Sequence, residues 1–207
     1  MMTCAVMGCE RTGTNLVEAL VNAYTQYTSI RDILGYTEEF FDKHIPDVPT
    51  CDRSVAVVKH PLAWLDSLHR HGWIFKWMTL TPEERSGEAR VTCAQTFEDF
   101  LETRGAPERW NHCYLAWEER VDLFVKYESI LKNPKRVVEE IAGGRQHVKH
   151  AVRLPSNKMG LRSDETLVPF SADYYLAEVY EHRYTPELRE RTMARFDQRL
   201  LDRLEYQ

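Results

Sequence analysis

The chain has 207 residues, of which 43% are hydrophobic and 29% charged, and its formal net charge is -5. This length and apolar content suffice for one globular core, so we expect a single domain over residues 1–207. Because Lys and Arg are not in excess over Asp and Glu, the charge argues against a general nucleic-acid-binding protein. Any anion site must therefore be locally basic.

The cysteine content and the hydropathy pattern exclude further classes of protein. The five cysteines are odd in number and include no C-x-x-C pair, which favours neither a disulfide framework nor a zinc site. No run of about 18 apolar residues occurs, and no charged leader with an apolar stretch begins the chain. We expect a cytoplasmic protein that does not associate with membranes and requires no metal.

The first half of the chain alternates between apolar runs and helical periodicity. A strand is predicted to end at Gly8, and apolar residues at helical spacing predict a helix that follows it and ends near Tyr27. Residues 32–44 are predicted to form a short helix or loop. The valine-rich run 54–59 is typical of a buried parallel strand, and a helix should begin at Pro61.

The second half continues this alternation. Residues 73–95 are ambiguous and are expected to be mobile or to face a substrate. Helices are predicted over 96–103 and 108–119, a strand over 121–126, and a helix over 133–141 that is capped by Asn133 and closed by Gly143. Alternating strands and helices predict an α/β protein with a central parallel sheet flanked by helices on both faces.

A glycine-containing loop joins the first predicted strand to the first predicted helix. Its glycines, Gly8 and Gly13, allow close approach of an anion, and the helix start directs N–H groups and a positive dipole end toward it. The spacing is that of the Walker loop, G-x-x-x-x-G-K-[ST], but Thr14 replaces the lysine and Asn15 the Mg-binding hydroxyl. The pattern predicts a phosphate site that does not bind Mg-ATP. A turn that only connects two elements is the alternative.

A second pair of polar residues follows the strand predicted at 54–59. Lys59 ends that strand, and Ser67 lies on the next helix. Because ligands collect at the carboxyl ends of parallel strands, these side chains can converge on a second phosphate beside the loop. In the alternative interpretation, Lys59 ends the strand exposed to solvent and Ser67 only packs on a helix. A lysine in place of the Walker-B aspartate disfavours a Mg-dependent kinase.

Residues 10–15, which read E-R-T-G-T-N, resemble the 5′-phosphosulfate loop of sulfotransferases that use 3′-phosphoadenosine 5′-phosphosulfate (PAPS). That loop reads roughly [PE]-[KR]-[ST]-G-T-[TN]. The segment from Lys59 to Ser67 is similar to the family's second signature, R-[DN]-P followed by a serine, which contacts the 3′-phosphate. Here Lys59 replaces the arginine and His60 the Asp or Asn, so the bidentate, fork-like grip is lost.

Three further segments are similar to bacterial and phage-type members of the same family. Residues 109–117 resemble a W-N-x-x-Y-x-x-W helix, residues 125–134 resemble R-Y-E-D-L-L-x-N-P, and residues 170–206 resemble the terminal helices. Within the second segment, Tyr127 and Glu128 are expected to be structural rather than catalytic. The resemblance covers nearly the whole chain and implies a three-layer P-loop sulfotransferase-like fold, with PAPS as the cosubstrate and adenosine 3′,5′-bisphosphate (PAP) as the product.

The resemblance also implies which residues bind the nucleotide. The 3′-phosphate would be held by Lys59 and Ser67. The 5′-phosphate would be held by the loop and the first helical turn, through Gly8, Arg11, Thr12, Gly13, Thr14 and Asn15. Arg11, the one cation in the loop, would also act in catalysis by neutralising charge on the bridge oxygen.

The predicted catalytic base is His44, because histidine accepts a proton near neutral pH and similar K-H segments precede the 3′-phosphate strand in the family. Glu10, Glu38 and Glu39 are the alternatives. The acceptor would be a hydroxyl or amine of a carbohydrate or other small molecule. A P-loop kinase with a degenerate Walker loop and a non-catalytic nucleotide-binding module remain the other functional hypotheses.

Overall fold

The computed structural model describes residues 1–34, 44, 46–70, 96–103, 105–155 and 172–206. Within these ranges the strands are parallel and form one sheet in the order β2-β1-β3-β4; they are β1 (Met2–Met7), β2 (Tyr27–Ser29), β3 (Arg53–Val58) and β4 (Leu123–Lys126). The predicted α/β class with a central parallel sheet is confirmed.

Helices surround this sheet. In the described ranges they are α1 (Thr14–Tyr24), α2 (Ile30–Leu34), α3 (Pro61–Arg70), α4 (Phe97–Thr103), α5 (Ala106–Trp117), α6 (Tyr127–Lys132), α7 (Pro134–Ala142), α8 (Asp173–Leu176), α9 (Pro186–Met193) and α10 (Gln198–Arg203). Short 3₁₀ turns lie at Arg145–His147 and Val179–Arg183. The start of α3 at Pro61 is as predicted, and the side chain of Asn133 caps α7 by accepting from the N–H of Arg136 at 3.1 Å.

The two central strands end in apolar runs, Cys4 to Met7 and Val55 to Val58, which are buried on both faces of the sheet. One face packs against α3, α4, α5 and the C-terminal helices, through side chains such as Met7 and Val58. The other face packs against α1, α6 and α7, through side chains such as Val6 and Val57. The loops at the carboxyl ends of β1 and β3 are thereby placed side by side, since Met7 pairs with Ala56.

The prediction that the first helix ends near Tyr27 is wrong. The helix ends at Tyr24, because Thr25 is extended and its hydroxyl donates to the carbonyl of Val21 at 2.8 Å. The N–H of Tyr27 then donates to the Thr25 hydroxyl at 3.1 Å, and Tyr27 pairs with Met2 as the first residue of β2. A strand of three residues is too short to show the two-residue period of a β-strand.

Some predictions fall outside the described residues. These are the roles considered for Glu38 and Glu39 and the substrate-facing segment 73–95. The assignment of residues 1–207 to a single domain stays a prediction. Of the helices in the described ranges, none has the length and apolar character needed to cross a membrane.

Candidate phosphate-binding site

The loop between β1 and α1 requires glycine at both predicted positions. A Cβ atom on Gly8 would lie 2.6 Å from the carbonyl oxygen of Val57, and one on Gly13 would lie 2.4 Å from the ring of Tyr127. Gly13 also has a φ of 100°, in the left-handed region that favours glycine. The backbone of the loop is therefore packed against β3 and α6 more closely than a side chain would permit.

The loop ends at the N-terminus of α1, where the first N–H groups of any α-helix lack intrahelical acceptors. The carbonyl of Gly13 accepts from the N–H groups of Leu16 and Val17 at 3.0 and 3.2 Å, and Thr14 begins the helix. The first N–H groups of a helix and its dipole favour an anion at this end of α1. Gly13 and Thr14 lie at this end of α1, and their contact with a phosphate stays a prediction.

The hydroxyl of Thr12 is used inside the loop. It donates to the carbonyl of Cys9 at 2.7 Å, and the N–H of Thr12 donates to the same oxygen at 3.2 Å. The side chain is fully buried. The Thr12 hydroxyl therefore shapes the loop turn, and contact of Thr12 with a phosphate stays a prediction.

Gly13→Ala is expected to destabilise the protein by roughly 2 kcal/mol more than a matched glycine replacement, because the added methyl group meets the Tyr127 ring. The matched variant is Gly143→Ala, since Gly143 also has a positive φ, of 75°, and its Cβ would contact nothing within 4 Å. Denaturant unfolding of both variants checks this. Equal losses would show that backbone strain alone, and not close packing of the loop, requires glycine at position 13.

Lys59 follows β3 and turns back toward the loop. It is only 2% exposed, and its amine donates to the carbonyl of Arg11 at 2.6 Å. The nitrogen also lies 4.2 Å from the ring centroid of Tyr127 and 4.5 Å from that of Tyr175, as in cation–π contacts. Burial, together with the charge of Arg11, lowers the pKa of Lys59. The alternative in which Lys59 ends the strand in solvent is therefore wrong.

Ser67 lies on α3 with its side chain near Tyr175, whose ring Lys59 also contacts. Ser67 is 1% exposed, and its hydroxyl makes no hydrogen bond to any of the described residues. The phenol of Tyr175 lies beside this hydroxyl. Burial raises the pKa of Tyr175, but the nearby Lys59, Ser67 and Arg70 outweigh burial and lower it to about 8. The structure thus brings the predicted pair together, around the phenol oxygen of Tyr175.

Arg70 and Tyr175 are site residues that the sequence analysis missed. The Nη2 atom of Arg70 lies 3.4 Å from the phenol oxygen of Tyr175, and its Nε donates to the buried carboxylate of Asp66 at 2.8 Å. Asp66 also accepts from Arg183 at 2.8 Å and from Tyr174 at 3.0 Å. A signal for Arg70 was present, since it follows Ser67 by three residues and so shares its helix face.

His44 lies at the phosphate loop, as expected of the predicted base. Its Nδ1 is 2.6 Å from the carbonyl oxygen of Gly8. A carbonyl can only accept, so the proton belongs on Nδ1, and Nε2 carries the lone pair of the neutral ring. The main-chain oxygen of His44 accepts from Arg109 at 3.2 Å, which ties this residue to α5.

Glu10, an alternative base, is bound in an ion pair. Its two carboxylate oxygens accept from Nη2 and Nε of Arg109, the second at 3.2 Å, and the residue is 5% exposed. Its main-chain oxygen accepts from the indole of Trp64 at 2.6 Å. Both carboxylate oxygens are thus used in a bidentate contact with one guanidinium, so Glu10 is better suited to anchoring the loop.

Asn15 has a cationic partner that the sequence analysis also missed. The Nη1 atom of Arg31, which follows β2, donates to the side-chain oxygen of Asn15 at 2.8 Å and to Glu18 at 3.0 Å. Because the amide oxygen faces Arg31, the amide nitrogen of Asn15 points elsewhere, and nitrogen is the end that can donate to a phosphate. The signal was the position of Arg31 just beyond the carboxyl end of a strand.

The expected structural role of Glu128 agrees with its contacts. One oxygen accepts from the N–H of His60 and the other from the hydroxyl of Tyr206, both at 2.9 Å. Tyr127, in contrast, touches the site, since its ring covers Gly13 and Lys59. The segment 125–134 therefore supports the phosphate loop from one side.

No protein-family model, no curated protein and no solved structure matches this chain. Within the described ranges, no group of three His, Cys, Asp or Glu side chains could hold a metal ion. A functional conclusion therefore depends on the geometry of the loop, of Lys59 with Ser67, and of His44.

Proposed function

We propose that this protein is a PAPS-dependent sulfotransferase with a P-loop sulfotransferase-like fold, and that it transfers a sulfuryl group to a hydroxyl or amine of a carbohydrate or other small molecule. The observation that supports this most strongly is the convergence of Lys59 and Ser67 on one point beside the glycine loop. PAPS carries two separate anionic groups, the 5′-phosphosulfate and the 3′-phosphate, and requires two such neighbouring sites.

The 5′-phosphate would bind the N–H groups at the start of α1, with the amide nitrogen of Asn15 as a further donor. Arg11, whose charge is close enough to lower the pKa of Lys59, would neutralise the charge that develops on the bridge oxygen. Lys59 lies between the two anion positions, because its amine contacts the loop at Arg11 and the phenol at Tyr175. The proposed 3′-phosphate site therefore adjoins the loop, and the charge of Lys59 is assigned to the 3′-phosphate.

In the transfer step, a bond forms between the acceptor oxygen or nitrogen and sulfur while the bond from sulfur to the bridge oxygen breaks. PAP leaves with the electron pair of that bond. His44 Nε2 takes the acceptor proton, and the hydrogen bond from Nδ1 to Gly8 keeps this tautomer and orients the ring. His44 is thereby fixed to the same loop that would hold the reacting phosphosulfate.

The first test is the choice of nucleotide. PAP is expected to raise the melting temperature without Mg²⁺, since a ligand that binds only the folded state stabilises it. Lys59→Ala should weaken PAP binding by roughly 1.5 to 3 kcal/mol, as expected for a hydrogen bond to a charged group. Binding of adenosine 5′-phosphate, which lacks the 3′-phosphate, should barely change. Calorimetric titration of both nucleotides measures the difference.

The matched control is Lys132→Ala, which removes an exposed lysine at the end of α6 and should leave both affinities unchanged. Equal losses for the two nucleotides in Lys59→Ala would show that Lys59 does not bind the 3′-phosphate. Stronger stabilisation by Mg-ATP than by PAP would favour the kinase hypothesis. Tight PAP binding with no transfer to any hydroxyl or amine acceptor would favour a non-catalytic nucleotide-binding module.

A further inference from the structure

We propose that Arg70 binds the second phosphate together with Lys59 and Ser67, and that the phenol of Tyr175 competes with this phosphate for the same three groups. The inference rests on the proposed function, since it concerns the site assigned to the 3′-phosphate. It adds a binding residue and a competing side chain to that site.

Arg70 has the position and the geometry of a phosphate ligand. It lies one helical turn beyond Ser67 on α3, and its Nε is held at 2.8 Å by the carboxylate of Asp66. This contact directs the Nη2 edge to the point where Lys59 and Ser67 meet, 3.4 Å from the Tyr175 oxygen. A guanidinium offers planar, paired donors, so Arg70 supplies the fork that a lysine at position 59 lacks.

Asp66 makes this arrangement rigid. It is fully buried, and besides Arg70 it accepts hydrogen bonds from Arg183 and Tyr174. The guanidinium of Arg70 also lies 4.3 Å from the ring centroid of Tyr174. The Arg70 side chain is 36% exposed, so it combines a fixed orientation with access for a ligand. Preorganised donors of this kind bind an anion without ordering further side chains.

Tyr175 meets the same groups as the proposed phosphate. Its phenol is faced by Lys59 from the end of β3, and by Ser67 and Arg70 from α3. Its ring makes edge contacts with Tyr127 on α6 and Tyr174 on α8, at centroid distances of 5.2 and 5.3 Å. Two oxygens cannot occupy one position, so a phosphate that binds all three groups must displace the phenol.

A phosphate can displace the Tyr175 phenol at a small cost in free energy. The contact between Arg70 and the phenol is long, at 3.4 Å, and Ser67 makes no hydrogen bond to any of the described residues. A neutral phenol therefore satisfies these donors poorly, whereas a phosphate offers several charged acceptors. The apparent affinity for the phosphate is reduced only in proportion to the fraction of molecules in which the phenol occupies the site.

The test compares PAP with adenosine 5′-phosphate by calorimetric titration of the full chain. Arg70→Gln should weaken PAP roughly 10- to 100-fold, the range for a lost hydrogen bond to a charged group, and should leave adenosine 5′-phosphate unchanged. Tyr175→Phe keeps the ring and removes the oxygen, so PAP should bind roughly two- to tenfold more tightly. The matched control is Tyr174→Phe, whose lost hydroxyl contacts Asp66 and should change the PAP affinity less.

Measuring the PAP affinity of both proteins at several pH values distinguishes competition by the phenol from other effects of the substitution. Because the pKa of Tyr175 is about 8, the phenolate that forms above this pH binds Lys59 and Arg70 more strongly than the neutral phenol does. The advantage of Tyr175→Phe over the wild type should therefore increase between pH 7 and pH 9, by a factor on the order of three. Tyr175 also raises the pKa of Lys59, so the variant loses the Lys59 charge at a lower pH than the wild type does, which opposes this increase.

The outcomes that overturn the inference are specific. Weaker PAP binding by Tyr175→Phe would make the phenol a phosphate ligand instead of a competitor. If Arg70→Gln affects the two nucleotides equally, or affects neither, Arg70 pairs with Asp66 and does not bind the 3′-phosphate. If the wild type does not prefer PAP to adenosine 5′-phosphate, the proposed function and the inference both fail. If it does, and the variants behave as the wild type, the inference alone fails.

Discussion

His44→Ala is expected to lower kcat about 10²- to 10⁴-fold, the contribution of a positioned general base, while the affinity for PAP stays nearly unchanged. The structural reason is that Nδ1 of His44 is held at 2.6 Å by the carbonyl of Gly8, so Nε2 is the nitrogen that can accept the proton. The measurement is PAP release from PAPS in the presence of hydroxyl and amine acceptors.

The matched control for this variant is His150→Ala, which removes an exposed histidine and should leave the rate unchanged. If His44→Ala keeps more than about a tenth of the wild-type rate, the loss is too small for a missing base. The role would then pass to a carboxylate. Glu38 and Glu39 would be replaced first, since the ion pair with Arg109 makes Glu10 the weaker candidate.

Arg11→Ala is expected to lower kcat roughly 10²- to 10³-fold, the scale for removing one preorganised donor to a developing charge. The backbone of the loop should survive this change. Arg11 has a φ of 65°, and alanine at this position meets the same steric conflict as any other residue with a Cβ atom. The contact from Lys59 is made with the main-chain oxygen of Arg11, which the variant retains.

Steady-state kinetics with varied PAPS distinguish the role of Arg11 in the transition state from simple binding. The matched control is Arg136→Ala on α7, where the arginine is exposed and only its main-chain N–H is used in the helix cap. A rise confined to KM would contradict a catalytic role, because it would mean that Arg11 stabilises the ground state and the transition state equally. Arg11→Lys should recover part of the activity if charge is the main requirement.

Several site features were predictable because their causes are local. The spacing of Gly8 and Gly13 follows from a strand, a tight loop and a helix start that occur within a dozen residues. The helix starts at Pro61 and Pro134 depend on the fixed φ of proline and on its missing N–H. Apolar runs with valine in β3 reflect burial on both faces of a parallel strand. Each of these features can be recognised from residues that are close together in the chain, so a short stretch of sequence is enough to predict it.

The partners of the site residues required the tertiary structure. Glu10 and Arg109 are 99 residues apart, and Arg70 and Tyr175 are 105 apart, so no sequence pattern links them. The same holds for the hydroxyl of Thr12, whose hydrogen bond to Cys9 depends on the loop conformation. The sequence alone therefore shows neither that Glu10 is paired with Arg109 nor that the Thr12 hydroxyl donates to Cys9.

By itself, the sequence determined that this chain forms an α/β fold with a glycine-containing loop between its first strand and first helix, because periodicity, proline and glycine act through short-range backbone geometry. Only the tertiary structure decided that Lys59 is buried against Tyr127 and Tyr175, and that Ser67, Arg70 and Tyr175 meet at one point. The physical reason is that burial and charge depend on which helices cover the sheet. These are long-range contacts, and they alone determine which polar side chains point into a site and which into solvent.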